Sequence, residues 1–113
     1  MKEEEIYREL LEEGLDDWIM VDQVLYLAGE LAEQSGEPPR EVTERVLTHL
    51  VRGGLMNVGD LGETGFEAWS GDADSVVRRV LESLDAVDWH PAGGGCWLAN
   101  TPAGDREASG GTR

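Results

Sequence analysis

The hydrophobic pattern of the chain predicts four amphipathic helices. In each of four segments the apolar residues recur three or four positions apart, which places them on one face of a helix. The segments are separated by turn signals, and Gly14 follows the first of them where a helix C-cap belongs. The four apolar stripes are Ile6, Tyr7, Leu10 and Leu11; Val21, Val24, Leu25, Ala28, Leu31 and Ala32; Val42, Val46, Leu47, Leu50 and Val51; and Val76, Val77, Val80, Leu81 and Leu84.

Helix-start signals accompany three of these stripes. Pro39 suits the first position of the third helix, and Asp72 suits the N-cap of the fourth. The second helix has three candidate caps, Asp16, Asp17 and Asp22, and the pattern does not choose between them.

The strand signals are shorter. Leu55–Val58 predicts a short strand, and the glycine-rich stretch after it predicts a loop with Phe66 and Trp69 as two aromatic anchors. Further on, "VDWHPAGGGCWLANTPAG" predicts a strand near Val87–His90, a turn at the three glycines and a second strand near Cys96–Asn100. The remaining residues, 101–113, offer no core-forming side chains and predict a flexible tail.

This order of elements is that of a winged helix. The stretch from Val87 to Gly104 resembles the wing of MarR- and PadR-like regulators, in which an aromatic-rich strand ends in a Leu-Thr-x-x-Gly-like run. Leu98 and Thr101–Gly104 match that run loosely, with two extra residues between them. We therefore expect an α-rich α+β fold. Residues 1–100 would form one winged-helix-like domain of three to four helices and a C-terminal β-hairpin, with an N-terminal helical extension.

Length and composition fit a soluble single domain. With 113 residues the chain is long enough to bury a core unaided, and it has no apolar run near the roughly 20 residues that span a bilayer. The sequence does not open with a signal peptide, and the lone Cys96 cannot form an internal disulfide. These features predict a cytoplasmic protein without a membrane partner.

Charge changes the expected function more than any other bulk property. The chain holds 24 acidic and 9 basic residues, a net charge of −15, and residues 1–37 hold twelve acids against Lys2 and Arg8. Such a surface repels phosphates and attracts basic proteins, although it could also serve solubility alone. The fourth helix offers only Arg78 and Arg79, and the predicted wing has no Lys or Arg. Nucleic-acid binding is therefore not expected.

The sequence contains few residue patterns that are typical of catalytic or metal-binding sites. No C-x-x-C or H-x-x-x-H spacing occurs, and the paired acids Asp16–Asp17 and Asp72–Asp74 stand where helix caps are needed. The three glycines lack the Lys-Ser/Thr of a phosphate loop, and Cys96 beside Trp97 reads as a buried thiol. We expect no enzyme activity, no cofactor and no metal. His49 could bind an acidic group together with Arg45 and Arg52. The simpler interpretation is that these three side chains lie on the solvent-exposed flank of the third helix.

Four tryptophans stand at element boundaries, where each could close the core or protrude as a binding hot spot. The segments "DDW", "GGLMNVGDLGETGFEAW" and "DWHPAGGGCWLANTPAG" together resemble a group of small acidic proteins of high-GC bacteria with a suspected immunity role beside toxin genes. That resemblance implies an immunity-type inhibitor of a cationic toxin or nuclease. The predicted partner-binding residues are Asp16, Asp17, Trp18, Glu30, Glu33, Phe66 and Trp69. The alternative is a winged-helix transcriptional regulator or regulatory adaptor, and a homodimer is left open.

Overall fold

A computed structural model describes residues 1–110. Over these residues five helices and a four-stranded antiparallel sheet make up an α+β fold, which confirms the predicted class. The helices are α1 (Glu3–Glu13), α2 (Val21–Ser35), α3 (Pro39–Arg52), α4 (Ala73–Ala86) and α5 (Pro102–Ala108), and the strands are β1 (Ile19–Met20), β2 (Met56–Gly62), β3 (Gly65–Ala68) and β4 (Trp97–Asn100). Among the described residues, no helix is long and apolar enough to cross a membrane.

The four predicted amphipathic helices are confirmed, and their apolar stripes form the core. Asp72 caps α4 by accepting a hydrogen bond from the Ser75 backbone N–H, 2.8 Å away. Helix α2 is different, because its N-cap is Met20, which makes no side-chain cap. None of the three candidate aspartates caps α2.

The sheet has the strand order β1-β4-β2-β3, so β4 lies between two strands that are distant in sequence. Leu98 of β4 faces Ile19 of β1 and Val58 of β2 in register. All three side chains are buried in the core cluster that the helices complete. This inner face therefore joins the sheet to the helical layer.

The predicted hairpin between Val87 and Asn100 is wrong in its first half. Residues 87–95 form turns, and β4 pairs with β1 and β2 instead. The Trp89 N–H donates to the Leu84 carbonyl, and Asp88 and Trp89 adopt positive φ angles of 54° and 62°. Residues with positive φ cannot continue a strand. The alternating apolar residues at positions 87–90 therefore belong to the turn that ends α4.

The hairpin of this fold lies where the sequence predicts a glycine-rich loop. The short strand predicted from Leu55 is confirmed from Met56 and continues to Gly62, and β3 returns from Gly65. At Gly59 a side chain would collide with the backbone of Glu67, so only glycine lets the two strands approach this closely. The glycines therefore mark a tight hairpin rather than an irregular loop.

Much of the predicted flexible tail is helix α5. Thr101 caps this helix, because its hydroxyl accepts a hydrogen bond from the Gly104 N–H at 3.0 Å. Gly104 is buried, and a side chain there would collide with the Leu55 carbonyl oxygen. Helix α5 therefore packs through the close approach of its backbone at a small residue. The prediction of a flexible tail considered only large apolar side chains, and this segment has none. Residues 111–113 of the predicted tail lie outside the described residues.

Candidate partner-binding face

Five apolar side chains lie on the side of the sheet that faces away from the helices. Ile19 points into the core, so its neighbours in this extended segment point outward by strand alternation. Register extends the same face across the sheet, because Met20 lies opposite Trp97 and Leu61 lies opposite Phe66. We call this surface the outer face, and its members are Trp18, Met20, Leu61, Phe66 and Trp97.

The outer face is open to solvent. Trp18 is 44% exposed, Met20 40% and Leu61 41%, and none of the five side chains belongs to the core cluster. The rings of Trp18 and Phe66 lie 6.3 Å apart between centroids. Because these residues belong to opposite edges of the sheet, their contact bridges the central strands and makes the apolar surface continuous. Contiguous exposed apolar surface of this kind is typical of interaction sites.

The surroundings of the outer face are acidic. Asp16 and Asp17 directly precede Trp18, and a cavity of about 430 Å³ opens beside the indole ring. The cavity is lined by Gly14, Leu15, Asp16, Asp17, Trp18, Ala99, Asn100 and Asp105. Residues 9–39 and 53–77, which include β1, β2 and β3, contain no Lys or Arg, and β4 contains none either. This side of the molecule therefore presents negative charge around an apolar centre.

The sequence-predicted binding residues fall into three places. Asp16, Asp17, Trp18 and Phe66 meet at the outer face, as described above. Glu30 and Glu33 lie in the C-terminal half of α2, more than about 12 Å along the helix from its start beside β1. These two glutamates therefore do not share a surface patch with Trp18.

Trp69 occupies the third place and packs against the core. Its indole N–H donates to Asp60 at 2.8 Å, and the Arg79 guanidinium stacks on its ring at 3.8 Å. Both the polar edge and one face of this side chain are therefore occupied within the protein. Trp89 resembles it, with its indole N–H bound to Asp85 at 2.8 Å. These two tryptophans close the core, whereas Trp18 protrudes.

The sequence did not identify three residues of the outer face. Met20 and Leu61 were not predicted, and Trp97 was not assigned to an exposed surface. The signal that identifies them is strand alternation combined with register. Alternation was visible in the sequence, but the register depends on which strands pair, and β4 pairs with residues about forty and eighty positions away. No local pattern contains that information.

The arginines of α3 are engaged with carboxylates of neighbouring elements. Arg45 contacts Glu3 at 2.8 Å and Glu37 at 2.9 Å, and Arg52 contacts Asp74 at 2.8 Å. His49 stacks on Tyr7 with ring centroids 3.8 Å apart. The trio of Arg45, His49 and Arg52 therefore does not converge on an open anion site.

Tyr7 and Glu3 form a linked pair beneath Arg45. The Tyr7 hydroxyl donates to a Glu3 carboxylate oxygen, and Arg45 donates to the other oxygen. Burial disfavours the charged form of Glu3, but these hydrogen bonds and the arginine charge outweigh it and lower the pKa of the carboxyl. The pKa of Tyr7 is raised by burial and by the same hydrogen bond.

Replacing Tyr7 by phenylalanine is expected to destabilise the protein in a pH-dependent way. A carboxyl with a lowered pKa contributes stability above its unfolded value, and this contribution disappears as the pH falls through the folded value. The difference in unfolding free energy between wild type and Tyr7→Phe should therefore be largest near neutral pH and shrink below about pH 4. Urea titrations across this range measure it. Tyr26→Phe, at a tyrosine that is 62% exposed, is the control and should show no such trend. A difference for Tyr7→Phe that stays constant with pH would contradict the linkage.

Cys96 is a buried thiol just before β4. Burial raises the pKa of this thiol to about 11, so the thiolate needed for nucleophilic attack is scarce at neutral pH. Cys96→Ser is expected to lower the unfolding free energy by about 1–2 kcal/mol, because it buries a hydroxyl. Urea denaturation measures this loss, and partner binding should be unchanged. A stable Cys96→Ser variant that no longer binds would show a functional thiol.

Comparison with known proteins finds no matching family model, no matching curated protein and no matching solved structure. Within residues 1–110, no group of three or more His, Cys, Asp and Glu side chains is placed to hold a metal ion.

Proposed function

We propose that this chain is a non-enzymatic binding domain for a basic protein in the cytoplasm, and that the outer face is its contact surface. The observation that carries the proposal is the exposed, continuous apolar face centred on Trp18 and surrounded by carboxylates. Apolar and aromatic groups at the centre of an interface supply most of its affinity, while surrounding charges select the partner and accelerate association. The outer face has both components.

The charge distribution favours a cationic partner over other classes. Of the basic residues of α3 and α4, Arg40, Arg45 and Arg52 are paired with carboxylates, and Arg79 stacks on the Trp69 ring. The acidic groups next to Trp18, in contrast, make no ion pair within residues 1–110. Unpaired carboxylates beside an apolar surface complement lysine and arginine on a partner.

An immunity-type inhibitor is the form of this function that we favour. A toxin that acts on nucleic acid carries a positive surface for phosphates. The carboxylates beside Trp18 would occupy that surface and exclude the phosphate backbone. In this interpretation the protein needs no catalytic group of its own, and its net charge of −15 accelerates capture of the toxin.

Affinity capture from a host-cell lysate tests the proposal when wild type is compared with two variants. Trp18→Ala removes the central ring of the outer face, whereas Tyr26→Ala removes an exposed ring from α2. We expect wild type and Tyr26→Ala to retain the same basic protein, and Trp18→Ala to lose about thirtyfold in affinity, as truncation of a hot-spot residue does. Retention of the same proteins by all three baits, or capture of acidic proteins only, would refute the proposal.

The second candidate is a winged-helix regulator, and one observation favours it. Helices α2 and α3 are followed directly by the β2–β3 hairpin, which would act as the wing in place of the predicted one. That hairpin contains Asp60, Glu63 and Glu67 and no basic residue, which opposes contact with phosphates. We expect no mobility shift of random duplex DNA at about 0.15 M salt. A shift with micromolar or tighter affinity would favour the regulator.

A further inference from the structure

The two edges of the sheet differ in their capacity to accept another strand. β1 is only two residues long and leads directly into α2. β3 is four residues long, ends the sheet on the other side, and has Glu67 and Ala68 exposed. Only β3 therefore offers a free edge of useful length.

The hydrogen-bond pattern shows which backbone groups of β3 are unpaired. The Trp69 N–H donates to the Val58 carbonyl at 2.8 Å, just beyond the end of β3. Hydrogen-bonded pairs alternate along an antiparallel ladder, so Asp60 with Glu67 is also a hydrogen-bonded pair. Phe66 and Ala68 then direct their N–H and C=O groups away from β2. Within residues 1–110 these four groups have no other hydrogen-bond partner.

The protection of this edge against added strands is limited to its short length and one charged residue, Glu67. Natural edge strands are protected by short length, charged side chains, proline or a bulge, or they are covered by another element. β3 has the sequence Gly-Phe-Glu-Ala, which contains neither lysine nor proline. It is therefore a template for an extended segment of another chain.

The two faces of β3 determine which segment fits. An added residue opposite Phe66 would extend the outer face and meet apolar side chains. An added residue opposite Glu67 would lie on the other face, next to the exposed carboxylate of Glu67. The geometry points to an extended segment with alternating apolar and basic residues, which pairs antiparallel with β3 as a fifth strand. This inference rests on the proposed function and assigns a binding mode to its basic partner. A second copy of this chain fits less well, because it would place further carboxylates beside Glu67.

A seven-residue peptide of alternating valine and lysine is a defined probe for this mode. In the proposed pairing two of the valines lie opposite Phe66 and Ala68, so the N–H groups of these valines bond to β3 and the lysine N–H groups face solvent. Methylation of the valine backbone nitrogens should weaken binding about tenfold or more, because at least two hydrogen bonds are lost. Methylation of the lysine backbone nitrogens is the matched control and should leave the affinity unchanged. Nuclear magnetic resonance titration of the full chain should show protection of the Phe66 and Ala68 amides.

Ala68→Pro tests the same edge from the protein side. Proline removes the outward N–H of Ala68 without touching the ladder to β2, and edge strands tolerate it at such positions. We expect Ala68→Pro to weaken peptide binding about tenfold and Ala68→Thr, which keeps the N–H, to bind as wild type does. The amide spectrum of the free variants establishes that both are folded.

Other results would overturn the inference. A peptide that does not bind, or that binds equally well with methylated valine nitrogens, excludes strand addition. If the methylated peptide binds and also perturbs the indole signals of Trp18 and Trp97, the outer face binds basic ligands without strand addition. The proposed function then stands, although the inferred pairing with β3 is wrong. A dimer in sedimentation that Ala68→Pro abolishes would make a second copy the occupant of the edge and refute the inference.

Discussion

Leu98→Ala is expected to lower the free energy of unfolding by about 3–5 kcal/mol, the cost of a cavity in a fully buried site. Leu98 has no exposed surface and lies on β4, one of the two inner strands, between Ile19 and Val58. Neighbouring strands on both sides limit how far the structure can collapse into the space. A domain of this size has roughly 5–15 kcal/mol of stability in total, so the loss is a large fraction of it. Urea denaturation measures the change.

Trp97→Ala, one position earlier, is the control for this prediction. Trp97 lies on the outer face and outside the core cluster, so its removal should cost less than about 2 kcal/mol even though more atoms are lost. The order of the two effects distinguishes the observed sheet from the hairpin that the sequence predicts, in which Leu98 has a partner strand on one side only. A larger loss for Trp97→Ala than for Leu98→Ala would contradict the strand order.

Helices were predictable from this sequence because their information is local. A stripe such as Val42, Val46 and Leu50 repeats within one helix, and the terminal signals at Pro39 and Asp72 lie next to the helices they begin. The sheet is different, since its central strand pairs with two segments that lie far away along the chain. The apolar residues around Trp89 matched a strand pattern equally well, and only the positive φ angles of that turn exclude a strand.

The candidate site was predictable in part for the same reason. Trp18 and Phe66 were each identified as anchors from sequence, because large aromatic residues outside the helical stripes need a separate explanation. Their contact depends on the register between β1, β4, β2 and β3, which no single segment specifies. Trp69 carried the same sequence signal as Trp18, yet Arg79 and Asp60 engage it. Composition identifies candidates, and tertiary contacts decide which of them remain exposed.

The acidic residues differ in their distance from the outer face. Asp16 and Asp17 adjoin Trp18, whereas Glu30 and Glu33 lie further along α2. Both pairs change the net charge equally when they are neutralised. A function of the acidity in solubility alone would respond to net charge, while a steered interface would respond to position. The two pairs therefore separate these roles.

Asp16→Asn with Asp17→Asn is expected to slow association with the basic protein that wild type captures by about tenfold at low salt, with less change in dissociation. Glu30→Gln with Glu33→Gln should slow it about twofold or less, because exposed charges beyond about 8–10 Å of the contact are screened. The backbone N–H of Trp18 donates to the Asp17 carboxylate at 2.9 Å, and the amide oxygen introduced by Asp17→Asn can still accept this bond, so the local backbone conformation is preserved. Surface plasmon resonance over a range of salt concentrations measures both rates, and the difference between the pairs should vanish near 1 M salt, where the screening length is about 3 Å. Equal slowing by both pairs, or no dependence on salt, would show that the carboxylates act through net charge alone and that Trp18 binds without their guidance.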